Sequence, residues 1–164
     1  MKFAKPALIA VAVLALVGAL FFALMDRPSA PAVTFTTLEG KPIVLDELRG
    51  KVVLVNFWAT SCPGCIKEMP DMVESYELYR DRGFEIVAVA MSYDPPNYVL
   101  NFVQTRQLPF PVALDVDGAH ARAFGNVQLT PTTFIIGKDG RILEQKLGEL
   151  DFARLNALLD RELS

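Results

Sequence analysis

Cysteine, histidine and tryptophan are scarce in this 164-residue chain: it has two cysteines, one histidine and one tryptophan. Two cysteines cannot build a disulfide framework. Only Pro63 and Gly64 separate Cys62 from Cys65, so a bond between them closes too small a loop to add much stability. The pair therefore calls for a chemical role or a metal. Structural zinc needs four ligands, usually sulfur or imidazole, and His120 is the sole histidine left to help, which argues against zinc. No metal and no cofactor is expected. Charge of one sign is also sparse, because 16 basic residues face 19 acidic ones without a block of five or more like charges, which argues against nucleic acid as a partner. No internal repeat is present.

Apolar residues are plentiful. At 52% of the chain they suffice for one well-buried domain and a short extra segment. Part of that content lies in an uncharged run from Pro6 to Met25, long enough as a helix to cross about 30 Å of hydrocarbon. Lys2 and Lys5 precede the run, and Arg27, offset by Asp26, follows it, a bias that keeps the N-terminus inside and the rest of the chain outside the cytoplasm. A cleaved signal peptide is the competing reading, since Ala30-Pro31-Ala32 has small residues at cleavage-site spacing. Against it stand the length of the run and the position of Pro31. Residues 26–33, with Pro28 and Pro31, read as a short stiff tether.

Beyond the tether, Val33 to Thr36 and Ile43 to Leu45 flank a polar tip at Glu39-Gly40, the pattern of a hairpin. Val52 to Phe57 is almost unbroken apolar sequence and predicts a central strand buried on both faces. A helix is expected from Pro63 to Arg82, bent at Pro70, followed by a buried strand over Ile86 to Met91. Pro96 to Gln107 reads as helix, Val112 to Leu114 as a short strand and Gly118 to Phe124 as a short helix. Thr132 to Ile136 and Arg141 to Leu147 form a hairpin through Lys138-Asp139-Gly140, and Leu155, Leu158 and Leu159 mark one face of a closing helix. The fold class is α/β, a sandwich with a mixed central sheet flanked by helices.

Cys62-Pro63-Gly64-Cys65 falls where the central strand ends and a helix begins. Pro63 suits the first helical position, so the unpaired N–H groups of the first turn point toward Cys62. Their partial positive charge stabilises a thiolate and makes Cys62 the expected nucleophile. Cys65, one turn further in, is disfavoured as an anion by burial and placed to resolve a mixed disulfide. This context favours redox chemistry over half a zinc site or an inert disulfide.

The run from Asn56 to Pro70, NFWATSCPGCIKEMP, with Thr130 to Ile142, TPTTFIIGKDGRI, resembles the TlpA-like or ResA-like branch of thioredoxin-fold proteins, which are extracytoplasmic disulfide reductases. Pro96 to Gly125 matches the central insertion of that branch. The resemblance implies a thioredoxin-like domain over 34–164, which the apolar run and the prolines precede as a signal-anchor over 1–25 and a linker over 26–33. It also implies that Trp58, Pro63, Gly64 and Thr130 adjoin the substrate, and that Pro131 is a cis-proline facing the sulfurs. Glu68, one turn beyond Cys65, becomes the proton-exchanging carboxylate, where ordinary thioredoxins carry a buried aspartate at the position of Asn56. Ser61, where many relatives carry an aromatic residue, and the Pro-Gly dipeptide depart from the branch.

The expected activity is reduction of disulfides in protein substrates, such as apocytochrome c or copper-site thiols, at the outer face of the cytoplasmic membrane. A membrane thiol donor would supply electrons, and the chain is expected to be a monomer. An oxidant that inserts disulfides is one alternative. A copper-binding metallochaperone using both thiols and His120 is another. A peroxidase is disfavoured, because Val55 and Ala59 stand where Pro and Thr would precede a peroxidatic cysteine.

Overall fold

In the computed structural model of the chain, the described residues are 27–164 together with Val13, Leu14, Leu16 and Gly18. The expected membrane span over Pro6 to Met25 therefore lies almost wholly outside them. Among the described residues no helix is long and apolar enough to cross a membrane.

Strand β3 (Val52–Trp58) is buried at every position, as its apolar run requires, and sits at the centre of a five-stranded sheet. Strand β4 (Phe84–Ala90) pairs parallel to it, and β5 (Val112–Leu114) pairs parallel to β4 at one edge. On its other side β3 pairs antiparallel with β6 (Thr132–Ile136), which pairs with β7 (Ile142–Leu147) through the expected hairpin. The spatial order is β5-β4-β3-β6-β7. A separate hairpin, β1 (Thr34–Thr36) with β2 (Pro42–Val44), precedes the sheet. The mixed α/β sandwich is thus present.

Alternation along β3 and β4 builds two cores. Val52, Leu54 and Trp58 join Met69, Met72 and Tyr76 of helix α1 (Pro63–Tyr79), Val99 of α2 (Pro96–Arg106) and Leu155 and Leu159 of α4 (Phe152–Glu162). Val53, Val55 and Phe57 pack on the opposite side with Phe35 of the hairpin and with Ala121, in α3 (Ala119–Ala123), and Phe124. The sequence pattern predicted a helix to Arg82, but α1 stops at Tyr79. A tight 3-10 turn over Arg80–Arg82 follows, closed by Gly83 at φ 98°, a backbone state natural to glycine. Pro70 sits inside α1 and removes the N–H that would reach the carbonyl of Ile66.

Residues 27–30, expected as part of a tether, lie along the sheet. Ser29 bridges to Arg141, Ala30 N–H donates to the Gly140 carbonyl at 2.9 Å, and Ile142 N–H donates to the Pro28 carbonyl at 2.8 Å. Arg141 Nη1 also donates to the Arg27 carbonyl at 2.9 Å. The segment covers the start of β7, an edge that would otherwise be open there. Gly50, two residues before β3, donates to Lys138, so this turn stands at the end of the sheet opposite the end of β3 that leads to Cys62.

Candidate active site

The chain leaves β3 at Trp58, turns through Ala59 to Ser61 and enters α1 at Pro63. Cys62 is the N-cap, extended at φ −96° and ψ 107°, and its sulfur accepts the Cys65 N–H at 3.2 Å. It therefore occupies the positive end of the helix. Cys62 and Cys65 are joined in a disulfide with their Cα atoms 5.3 Å apart. They are unequal in exposure: Cys62 is half-buried, whereas Cys65 has no accessible surface. A partner sulfur can reach only the first.

Glu68 is buried on the same face of α1, one turn beyond Cys65. Its Oε1 accepts Asn56 Nδ2 at 3.1 Å and its Oε2 accepts the Leu150 N–H at 3.2 Å. Desolvation raises its pKa from 4.5 to about 7, against the downward pull of those two hydrogen bonds. A carboxyl in that range exchanges protons near neutral pH. Asn56 also donates to Thr133 Oγ1 at 2.9 Å, tying β3 to β6, while its own Oδ1 finds no protein partner.

The Thr130–Pro131 peptide bond is cis. Pro131 lies against the cysteine turn, its Cδ 3.7 Å from the point a Cβ on Gly64 would occupy. Glu149 stands at 3.4 Å from that same point and is paired with Lys67 at 2.6 Å. Pro63 is exposed, and Gly64 and Thr130 are half-buried, so these three have surface to offer. Trp58 does not. It is fully enclosed and tilted against Phe102 at 5.2 Å between ring centroids, which makes it a packing residue beneath the site and not the substrate contact that was expected. His120 packs on Phe35 at 4.8 Å, and Phe35 belongs to the core on the opposite side of the sheet from Cys65. It cannot serve as a third ligand beside the two thiols.

Sequence reasoning did not single out Asp94. Its buried carboxylate accepts both the N–H and the hydroxyl of Thr60 at 2.6 Å, and so holds the turn two residues before Cys62. The partners are 34 positions apart, and no local pattern links them.

Comparison with known proteins agrees with this geometry. The Redoxin family model matches residues 26–159. The thiol-disulfide oxidoreductase ResA of Bacillus thuringiensis subsp. konkukian is 41% identical over 132 residues, covering 80% of this chain and 75% of that protein. Among solved structures, a thiol:disulfide interchange protein of the thioredoxin family from Chlorobium tepidum superposes with a TM-score of 0.77 at 30% identity, over 85% of this chain and 98% of its own. StoA from Bacillus subtilis gives 0.68 at 27% identity, over 79% and 98%.

Proposed function

The chain belongs to the Redoxin family and is a thiol-disulfide oxidoreductase of thioredoxin-like fold, and from that premise we propose that it reduces disulfides of protein substrates outside the cytoplasm. The observation that carries the assignment of roles is the unequal burial of the two sulfurs.

In the reduced protein, the Cys62 thiolate at the start of α1 attacks one sulfur of a substrate disulfide. A bond forms between Cys62 and that sulfur, and the other substrate sulfur leaves as a thiolate that takes a proton from water. Glu68 accepts the proton of buried Cys65, whose thiolate then displaces the substrate from Cys62. The second substrate sulfur departs as a thiolate that takes a proton from water, the Cys62–Cys65 disulfide forms, and two electrons have passed to the substrate. A dithiol donor restores the pair. Pro131 and Thr130 border the attack site, with Pro63 and Gly64 completing its surface.

In this reading the run from Pro6 to Met25 anchors the chain in the cytoplasmic membrane, with the domain on the outer side. Protein substrates such as apocytochrome c or copper-site thiols, a membrane thiol donor and a monomeric state belong to the same proposal. Residues 27–30 meet the domain at the end of the sheet remote from Cys62, which supports, within this reading, a site turned away from the bilayer.

The test is to express full-length Cys65→Ser, which should stall exchange at the mixed disulfide and accumulate covalent partners identifiable by mass spectrometry. Wild-type protein equilibrated with glutathione should show a potential of about −270 mV or lower, in the thioredoxin range. A value near about −120 mV, that of a strong oxidant, would reverse the direction proposed.

A further inference from the structure

Two neighbouring residues of α1 meet two neighbouring residues of the loop between β7 and α4. Lys67 Nζ donates to Glu149 Oε2 at 2.6 Å, and Glu68 Oε2 accepts the Leu150 N–H at 3.2 Å. The loop is held on either side of this contact, where the Gly148 N–H donates to the Pro131 carbonyl at 2.9 Å and Asp151 caps α4. Between those points Glu149 reaches across to α1. The other donor to Glu68, Asn56, sits on β3, a strand paired on both sides, and needs no such tie.

Stability does not account for the Lys67–Glu149 pair. Its side chains are 73% and 47% exposed, and ion pairs so open to water add little to folding. Its effect falls on Glu68. Burial does most to raise the pKa of that carboxyl, the Leu150 and Asn56 hydrogen bonds lower it, and the negative charge of Glu149 raises it again. Asn56 and Thr133, on the sheet side, carry no charge. The hydrogen bond to Glu149 raises the pKa of Lys67 and keeps it cationic, with Asp71 of α1 adding to the same effect. Lys67 thus acts twice with one sign. It anchors the loop that carries the Leu150 donor, and it offsets the charge of Glu149.

We propose that Lys67 and Glu149 are positioning residues for Glu68, their ion pair holding the Leu150 N–H against the buried carboxylate and tuning its proton affinity from the surface. The proposal rests on the reading that Glu68 takes the proton of Cys65, and it adds the groups that set the pH at which this happens. A carboxyl accepts that proton only when ionised, so whatever eases its ionisation extends resolution of the mixed disulfide to lower pH. Losing the lysine removes the tie and leaves the Glu149 charge uncompensated, and both changes favour the protonated carboxyl. Losing only the charge of Glu149 does the opposite.

The experiment titrates Glu68 in the oxidised full-length protein, where neither cysteine ionises, by the infrared band of the protonated carboxyl that Glu68→Gln removes. In Lys67→Met the midpoint should rise by about half a pH unit or more. In Glu149→Gln, which keeps an acceptor for Lys67 Nζ and discards the charge, it should fall. Lys67→Arg, which keeps the pair, should stay with the wild type. Midpoints of Lys67→Met and Glu149→Gln that both remain at the wild-type value overturn the inference, as do shifts in the same direction, the mark of a general disturbance of packing. The pH profile of mixed-disulfide resolution should follow the same opposite shifts, and it separates the two levels. If Glu68→Gln slows resolution while the midpoints of the surface variants do not move, the tuning alone falls. If the midpoints move as expected while Glu68→Gln resolves at the wild-type rate, the tuning stands and the part of Glu68 in exchange falls.

Discussion

Asn56 and Glu68 meet at 3.1 Å across the interface between the central strand and the first helix, both almost without solvent contact, with the amide donating to the carboxylate. The donor is uncharged and only partly offsets the burial that lifts the Glu68 pKa to about 7.

The stability of the oxidised protein should therefore fall with rising pH. Burial lifts the folded-state pKa of Glu68 from 4.5 to about 7, so its stabilising share is full below 4.5 and is lost as the pH passes through about 7. Over that window the loss is about 3 kcal/mol. Urea denaturation at several pH values should show this slope in wild type and a flatter one in Glu68→Gln. Resolution of the mixed disulfide should also lose its pH dependence in that variant; rates unchanged from wild type across about pH 5 to 9 would remove Glu68 from proton transfer.

Asn56→Asp places a second carboxylate against Glu68. The two cannot both ionise cheaply at that distance, so the pair should retain a shared proton to higher pH than Glu68 alone. We expect the variant to be less stable than wild type by about 2 kcal/mol or more at pH 8, and closer to it at pH 5. Equal deficits at both values would mean that packing, not charge, is responsible.

Asp94→Ala should cost about 2 to 3 kcal/mol, since it removes two hydrogen bonds to a charged acceptor and leaves the Thr60 N–H unpaired. Its effect should extend to the loop that carries Cys62, visible as faster amide exchange at Thr60. Asp94→Asn, which keeps an acceptor, should recover part of the loss. A variant as stable as wild type would show that the clamp contributes nothing.

Ala30→Pro removes the N–H that binds Gly140 and should detach residues 27–30 from β7. Hydrogen exchange of the Ile142 amide, which donates to Pro28, should accelerate by about tenfold or more. Exchange with a small disulfide at the remote Cys62 should not change. Undiminished protection of Ile142 would mean that the remaining contacts of the segment hold it without this bond.

Much of this molecule was determined within short windows of sequence. The apolar run of β3, the Lys138-Asp139-Gly140 turn and the placing of Cys62-Pro63-Gly64-Cys65 between strand and helix follow from hydrophobic period, turn chemistry and the fixed φ of proline, all set by near neighbours. Spacing likewise put Glu68 on the face of Cys65. The elevated proton affinity of Glu68 was not legible, because it arises from burial by tertiary packing, which outweighs the hydrogen bonds from Asn56 and Leu150, two distant parts of the chain. Nor were the enclosure of Trp58 by Phe102, the removal of His120 to the far side of the sheet, the Asp94 clamp on Thr60 or the docking of residues 27–30 on β7. Local sequence chose the reactive groups and the elements that carry them; burial and pairing across the sheet, which no window of sequence contains, decided which of those groups meet and which face solvent.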